Sequence, residues 1–102
     1  MKHKDSVLVT VTYHPKPGHE EQFVQVWNEE VATIAHKMGA TTIGIYHNED
    51  TEDYLASTHW PTKEKAQAFL DSKELEEANE KTNKFCLVPA SREVFEILRE
   101  AA

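Results

Sequence analysis

Val7-Leu8-Val9-Thr10-Val11-Thr12-Tyr13, closed by Pro15-Lys16-Pro17-Gly18, decides how the chain is read. The first seven residues are β-branched or aromatic and contain no breaker, which predicts a strand. Val7, Val9, Val11 and Tyr13 share one face, and Leu8, Thr10 and Thr12 share the other. Neither face carries a charge, so both call for cover. The Pro-Gly stretch ends the strand. Beyond it, Phe23, Trp27, Val31, Ile34 and Met38 recur at spacings of 4, 4, 3 and 4. That stripe predicts a helix over about His19–Met38. Glu20 and Glu21 suit its positive end, His36 and Lys37 its negative end, and Gly39 a left-handed residue just past it.

Further along, Thr41–His47 and Tyr54–Trp60 read as strands joined by a polar hairpin connection. Pro61 ends the second. Thr62 is the expected N-cap of a helix over Lys63–Leu70, and Ser72 that of a helix over Lys73–Lys84, with a break at Asp71-Ser72. A last strand is expected at about Arg92–Leu98. The order β-α-β-β-α-β is ferredoxin-like: an α+β fold with a four-stranded antiparallel sheet and two helices on one face. Two helices cover one face only. The other, with Leu8, Thr10 and Thr12 and the charge-poor later strands, lacks the apolar/charged alternation of a wetted sheet. A second copy of the chain is therefore expected to cover it, against the alternative of a Thr-rich face left wet.

With 102 residues, the chain is expected to form a single domain, residues 1–102. A net charge of −7 argues against nucleic acid and against anionic membrane surfaces. The basic start, Met1 to Asp5, resembles the opening of a signal peptide, but the apolar run behind it is too short and too β-branched. No stretch is long enough to span a membrane, so the expected location is cytoplasmic. Cys86 stands alone, which excludes an internal disulfide and cysteine-rich zinc sites, and its apolar neighbours predict an inert, structural thiol.

No phosphate loop, nucleophile elbow or zinc-type histidine pair is present. The acidic runs lack calcium-loop spacing. The second helical segment is more informative. Leu75, Ala78, Asn79 and Thr82 fall on one side, and that side should meet the sheet although half of it is polar. Either the helix is thinly packed, or a cavity lies beneath it in which Asn79 and Thr82 face a ligand. Trp60 and Phe69 would supply aromatic walls. His47, Tyr46, His59, Tyr13 and Tyr54 would supply donors or a base.

Three segments carry a family resemblance. Lys16-Pro17-Gly18-His19-Glu20-Glu21-Gln22-Phe23 resembles the first strand-to-helix entry of the antibiotic biosynthesis monooxygenase domain family. His59-Trp60-Pro61-Thr62-Lys63-Glu64-Lys65-Ala66 is similar to its third-strand Trp and following helix start. Phe69-Leu70-Asp71-Ser72-Lys73-Glu74-Leu75 resembles its helix break. The resemblance runs from about Val7 to Leu98. It implies a dimeric α+β barrel and a pocket between each sheet and its helices. Family members include oxygenases without cofactor, acting on phenols, anthrones and quinols whose own electrons reduce dioxygen, besides haem degraders and proteins of no known activity, and an oxygenase of the first kind is the expectation for this chain. Trp60 then lines the pocket, Asn79 holds an oxyanion, and His47 or His59 is the base, with Phe69, Thr82, Tyr46 and Tyr13 binding substrate. In the haem-degrading branch a Trp would stand at Phe69 and the ligating His at Asn79. Both are missing, which argues against that reaction. A non-catalytic small-molecule-binding or stress-related dimer is the main alternative, and an isomerase or cyclase a further one.

Overall fold

A computed structural model describes residues 6–100; the basic segment Met1 to Asp5 lies outside the described residues. Strand β1 is Val7–Tyr13. Helix α1, Glu20–Val26, runs into a π-helical segment, Trp27–Ala32, and then into α2, Thr33–Lys37. Strands β2 (Thr42–His47) and β3 (Tyr54–Trp60) form the hairpin. Helices α3 (Lys63–Leu70) and α4 (Lys73–Asn83) follow, and β4 (Ser91–Glu96) ends the fold. The sheet order is β2-β3-β1-β4, with every pairing antiparallel, which is the ferredoxin-like α+β fold.

The π-helical segment departs from the expected uninterrupted α-helix. Three core anchors at strict four-residue spacing, Phe23, Trp27 and Val31, drift around an ideal α-helix, and the wider turn brings them back toward one line. All three are buried. Thr33 Oγ1 donates to the Asn28 carbonyl five residues back, helping to satisfy an acceptor in the widened segment (3.4 Å). Past α2, Gly39 takes a positive φ of 106°, which lets the chain turn back to the sheet.

The next helices are capped by side chains. Thr62 Oγ1 accepts from the Lys65 N–H, and Ser72 Oγ accepts from the Leu75 N–H, each at 3.1 Å. Ser72 also donates to the Phe69 carbonyl at 2.8 Å, so one hydroxyl closes α3 and opens α4. Lys37–Glu74 (2.6 Å) and Lys81–Glu30 (3.0 Å) bridge the first helical run to α4. Both pairs are largely exposed and contribute at most about 1 kcal/mol each.

The pairing register sorts the sheet residues by face. Val9 lies opposite Thr58 and Val94, Val11 opposite Ala56 and Arg92, and Tyr13 opposite Tyr54. This face meets the helices, and Val7, Val9, Tyr13, Phe23, Trp27, Trp60 and Phe69 form its buried core. Tyr13, Phe23 and Tyr54 pack as a series of rings, with centroids 4.8 and 5.7 Å apart. The opposite face presents Leu8, Thr10, Thr12, Leu55, Ser57, His59, Tyr46 and Phe95, with none of the described helices over it. Tyr46 lies back across Gly44, so closely that any Cβ there would collide with its ring. Among the described residues no helix is long and apolar enough to cross a membrane.

Candidate functional site

A cavity of about 380 Å³ opens between the helix-facing side of the sheet and the helices. Val9, Val11 and Tyr13 of β1 and Ala56 and Thr58 of β3 form its floor. Trp27 and Val31 of the π-helical segment close one side, and Phe69 and Leu70 of α3 with Leu75, Asn79 and Asn83 of α4 close the other. Pro89, Ala90 and Arg92 stand at the β4 edge. The volume suits a small organic ligand. Most of the wall is apolar. Among the described residues its polar groups are Tyr13, Thr58, Asn79, Asn83 and Arg92, of which Arg92 alone is charged.

Each polar group is placed by its element. Asn79 and Asn83 are one helical turn apart on α4, so the helix that buries Leu75 and Ala78 presents both carboxamides along the same side. Asn79 is half-buried and Asn83 exposed, so the pair runs from the interior outward. Arg92 is on the cavity side because it pairs with Val11.

Trp60 holds the end of the cavity indirectly. Its indole N–H donates to Thr58 Oγ1 at 2.9 Å, and its ring packs on Phe69 with centroids 4.8 Å apart. Phe69 therefore reaches the cavity while Trp60, fully buried behind it, does not line it. Thr82 is fully buried as well. Its hydroxyl donates to the Asn79 carbonyl at 3.1 Å, and its own carbonyl accepts from Cys86 Sγ at 3.4 Å. Thr82 is thus committed to the helix end and is not among the lining residues. Cys86 is buried, and burial pushes its thiol up from the ordinary value, as expected for an inert sulfhydryl.

Tyr13 and Trp27 form the most unusual corner. Tyr13 is 2% exposed, and burial pushes its hydroxyl well above the ordinary phenol value, with Cys86 acting in the same direction. The Trp27 indole N–H is near enough to oppose that shift. Trp27 Nε1 is nevertheless buried and has no hydrogen-bond partner among the described residues. Leaving such a donor unsatisfied costs about 1–3 kcal/mol.

Of the residues expected at the site, the fold brings Tyr13, Phe69 and Asn79 together around the cavity. It does not bring Tyr46, His47 or His59 there. Trp60 points toward the helices, so its strand neighbour His59 points the other way. His59 lies on the uncovered face with Nδ1 3.7 Å from Glu100. Tyr46 is on that face too and is 55% exposed. His47 is on the helix-facing side, but at the end of the edge strand. It stacks on Tyr54 at 4.7 Å and pairs with Glu52 at 3.5 Å, outside the cavity. Among the described residues no histidine, lysine or carboxylate lines the cavity, so neither expected base stands where it would touch a ligand there. Nor does any imidazole or thiolate among them line it, and a haem iron would find no such ligand.

Sequence reasoning passed over Asn83, Arg92 and the site role of Trp27. Asn83 carried a signal, since it lies four residues after Asn79 on a helix correctly expected there. Arg92 required the β1–β4 register.

Comparison with known proteins agrees with this architecture. The Mycobacterium tuberculosis protein Rv0793 superposes with a TM-score of 0.79 at 13% identity, covering 95% of this chain and 99% of its own. SnoaB of Streptomyces nogalater, a cofactor-independent oxygenase solved as an asparagine-to-alanine mutant, gives 0.78 at 14% identity, covering 94% and 96%. A Nitrosomonas europaea protein assigned to the antibiotic biosynthesis monooxygenases gives 0.80 at 12% identity, covering 100% and 99%. At these identities the likeness is one of fold. No curated protein matches the chain by sequence. Residues 6–81 match the family model described as antibiotic biosynthesis monooxygenase, and the chain belongs to that family.

Proposed function

We propose that the chain is a cofactor-independent monooxygenase whose substrate is a small phenolic, anthrone or quinol-type aromatic held in the cavity. The observation that carries this reading is the lining: an apolar and aromatic wall, interrupted by neutral donors and one arginine, in a fold shared with an oxygenase that needs no cofactor. Asn79 offers a carboxamide N–H to a ketone or phenolate oxygen, stabilising charge that develops there. Phe69, held against Trp60, stacks on the aromatic ring. Among the described residues the lining holds no carboxylate, imidazole or lysine to take a proton, and its arginine stays protonated, so the substrate has to ionise through its own acidity once its oxygen is held by donors. In an anthrone-type reaction a ring CH₂ becomes C=O. One atom of dioxygen enters the product, and the other leaves as water with both hydrogens.

The working unit of this reading is a homodimer, with a second copy packed on the face that carries Leu8, Leu55 and Phe95. Its support is the apolar character of that face, where Phe95 is 45% and Leu55 40% exposed. Sedimentation equilibrium is expected to give twice the 11.7 kDa chain mass. A monomer at every concentration would remove the dimer from the proposal.

The missing base gives weight to a second reading, a dimer that binds the same compounds without converting them. Oxygen uptake measured with hydroquinones and anthrones separates the two. Uptake coupled to quinone formation is expected. Tight binding without uptake would establish the second reading, and product formed under anaerobic conditions would point to an isomerase or cyclase.

A further inference from the structure

We infer that Arg92 determines specificity: its guanidinium takes a carboxylate at the outer end of the ligand, so the cavity selects apolar compounds that carry one carboxylate group. The inference deepens the proposed function and rests on its reading of the cavity as the ligand site. It adds an anionic group to the ligand, away from the part of the molecule that the interior wall holds.

The starting point is how charge is distributed. The chain has 18 acidic residues against 11 lysines and arginines. Yet the described lining of the cavity holds no carboxylate, and its one charged side chain is a cation. The sheet register puts that cation there. Arg92 lies opposite Val11, which belongs to the cavity floor. The carboxylate next to it in the strand, Glu93, alternates to the other face and lies opposite Thr10. Two positions along on the cavity side stands Val94, which cannot neutralise a guanidinium. Among the described residues Arg92 has no ion-pair partner, whereas Lys37 and Lys81 on the helices have Glu74 and Glu30. A guanidinium donates in a fixed planar fork and accepts nothing, so its natural complement is a planar anion with two oxygens.

The lining also gives the ligand a direction. Trp27, Val31, Phe69 and Leu75 make an apolar interior, Asn79 is half-buried, and Asn83 and Arg92 are exposed. A molecule with an apolar body and one charged end matches that gradient. The body enters the interior, where removal of apolar surface from water drives binding. The charged end stays at the β4 edge, where both ions keep part of their hydration and the cost of burying a lone charge is avoided. Two carboxylate oxygens meet the guanidinium side by side, and Asn83 supplies a neutral donor in the same lining. Arg92 touches the ligand through this group alone and takes no part in the reaction.

Calorimetry at neutral pH with 2-naphthoate, 2-naphthamide and 2-naphthamidine tests the assignment. The three share one apolar body and end in an anion, a neutral group and a cation. The wild-type protein should bind the naphthoate about fivefold more tightly than the amide or better, as for a paired arginine fork that is not fully buried, and the amidine least. The net charge of −7 pulls toward the opposite order, so a preference for the anion reads the local cation and not the overall field. Arg92→Gln should cut the preference to about twofold or less and leave the affinity for the amide unchanged. Lys73→Gln removes the same charge from an exposed residue outside the lining, and should leave the preference intact. Equal affinity of the wild type for naphthoate and amide would overturn the inference, as would no binding of naphthoate, a preference that survives Arg92→Gln, or an equal loss in Lys73→Gln. The result is separable from turnover. Oxygen uptake with neutral anthrones alongside no preference for the anion overturns the role of Arg92 and spares the oxygenase reading. A preference that depends on Arg92 without any uptake keeps the carboxylate site and favours the binding-only dimer.

Discussion

The two faces of the sheet are built from the same strands and reach opposite states. On the helix-facing side, Val9 is 1% exposed, Tyr13 2% and Trp60 1%. On the other side, Leu55 is 40% exposed and Phe95 45%. The alternation of strand side chains therefore gives a single sheet one side whose centre packs on the helices around a cavity and another side where Leu55 and Phe95 stay exposed while Thr10 and Ser57 at its centre are buried. The contrast shows where the chain spends its helices. They enclose a cavity, and none of the described helices lies over the remaining face.

The sharpest test of this contrast is a pair of truncations. Phe23→Ala removes a ring with 0% exposure that touches Tyr13 and Tyr54, and should cost about 3–5 kcal/mol in urea denaturation. Phe95→Ala, in protein diluted below its association range, should cost less than about 1 kcal/mol. Similar losses for both would show that the faces are not as different as they look. In an associated sample, Phe95→Ala should also weaken self-association.

A titration comes next. Tyr13 holds its proton in the folded state to higher pH than in the unfolded chain, with burial as the first cause and Cys86 the second. Its contribution to stability is therefore complete below the unfolded value of about 10 and is lost as pH rises above it, by about 1.4 kcal/mol per unit until the folded group ionises. Tyr13→Phe should remove that part of the alkaline decline. An identical decline in the variant would assign it to other groups.

Asn79→Ala should lower affinity for an aryl ketone by about tenfold while changing stability little, as expected for a half-buried group at a ligand site. Unchanged affinity would remove Asn79 from the site. A local effect on stability is expected for Ser72→Ala, at about 1 kcal/mol by thermal denaturation, since it removes the α4 cap.

Local chemistry was readable from the chain where it acts over a few residues. Strand β3 and helix α3 fall at the expected bounds, Tyr54–Trp60 and Lys63–Leu70, because Pro61 and the Thr62 hydroxyl set them locally. The strand Arg92–Leu98 was expected too late, since its pairing with β1 begins at Ser91. The site was less legible. Phe69, Asn79 and Tyr13 followed from helix and strand periodicity, but His59 and Tyr46 depend on which parity faces inward. That parity was available for His59 once Trp60 is placed inside, whereas Tyr46 needed the β2–β3 register. Arg92 is a distant partner of Val11, and the π-helical segment left only the strict four-residue spacing of Phe23, Trp27 and Val31 as a trace.

That segment carries a consequence for how the chain can change over evolutionary time. A π-type turn holds more residues than an α-helical turn, so it absorbs an extra residue without putting the helix beyond it out of phase. Deleting one residue between Trp27 and Ala32 should close the turn to α-helical geometry and leave Ile34 and Ala35 facing the core, where both are now buried. The same deletion inside α4 has no such slack. It would rotate everything beyond it by about 100° about the helix axis and swing Thr82 out of its buried position. The widened turn is thus a point in the helical framework where the lineage could gain or lose a residue, reshaping one wall of the cavity while the rest of the core stays in place.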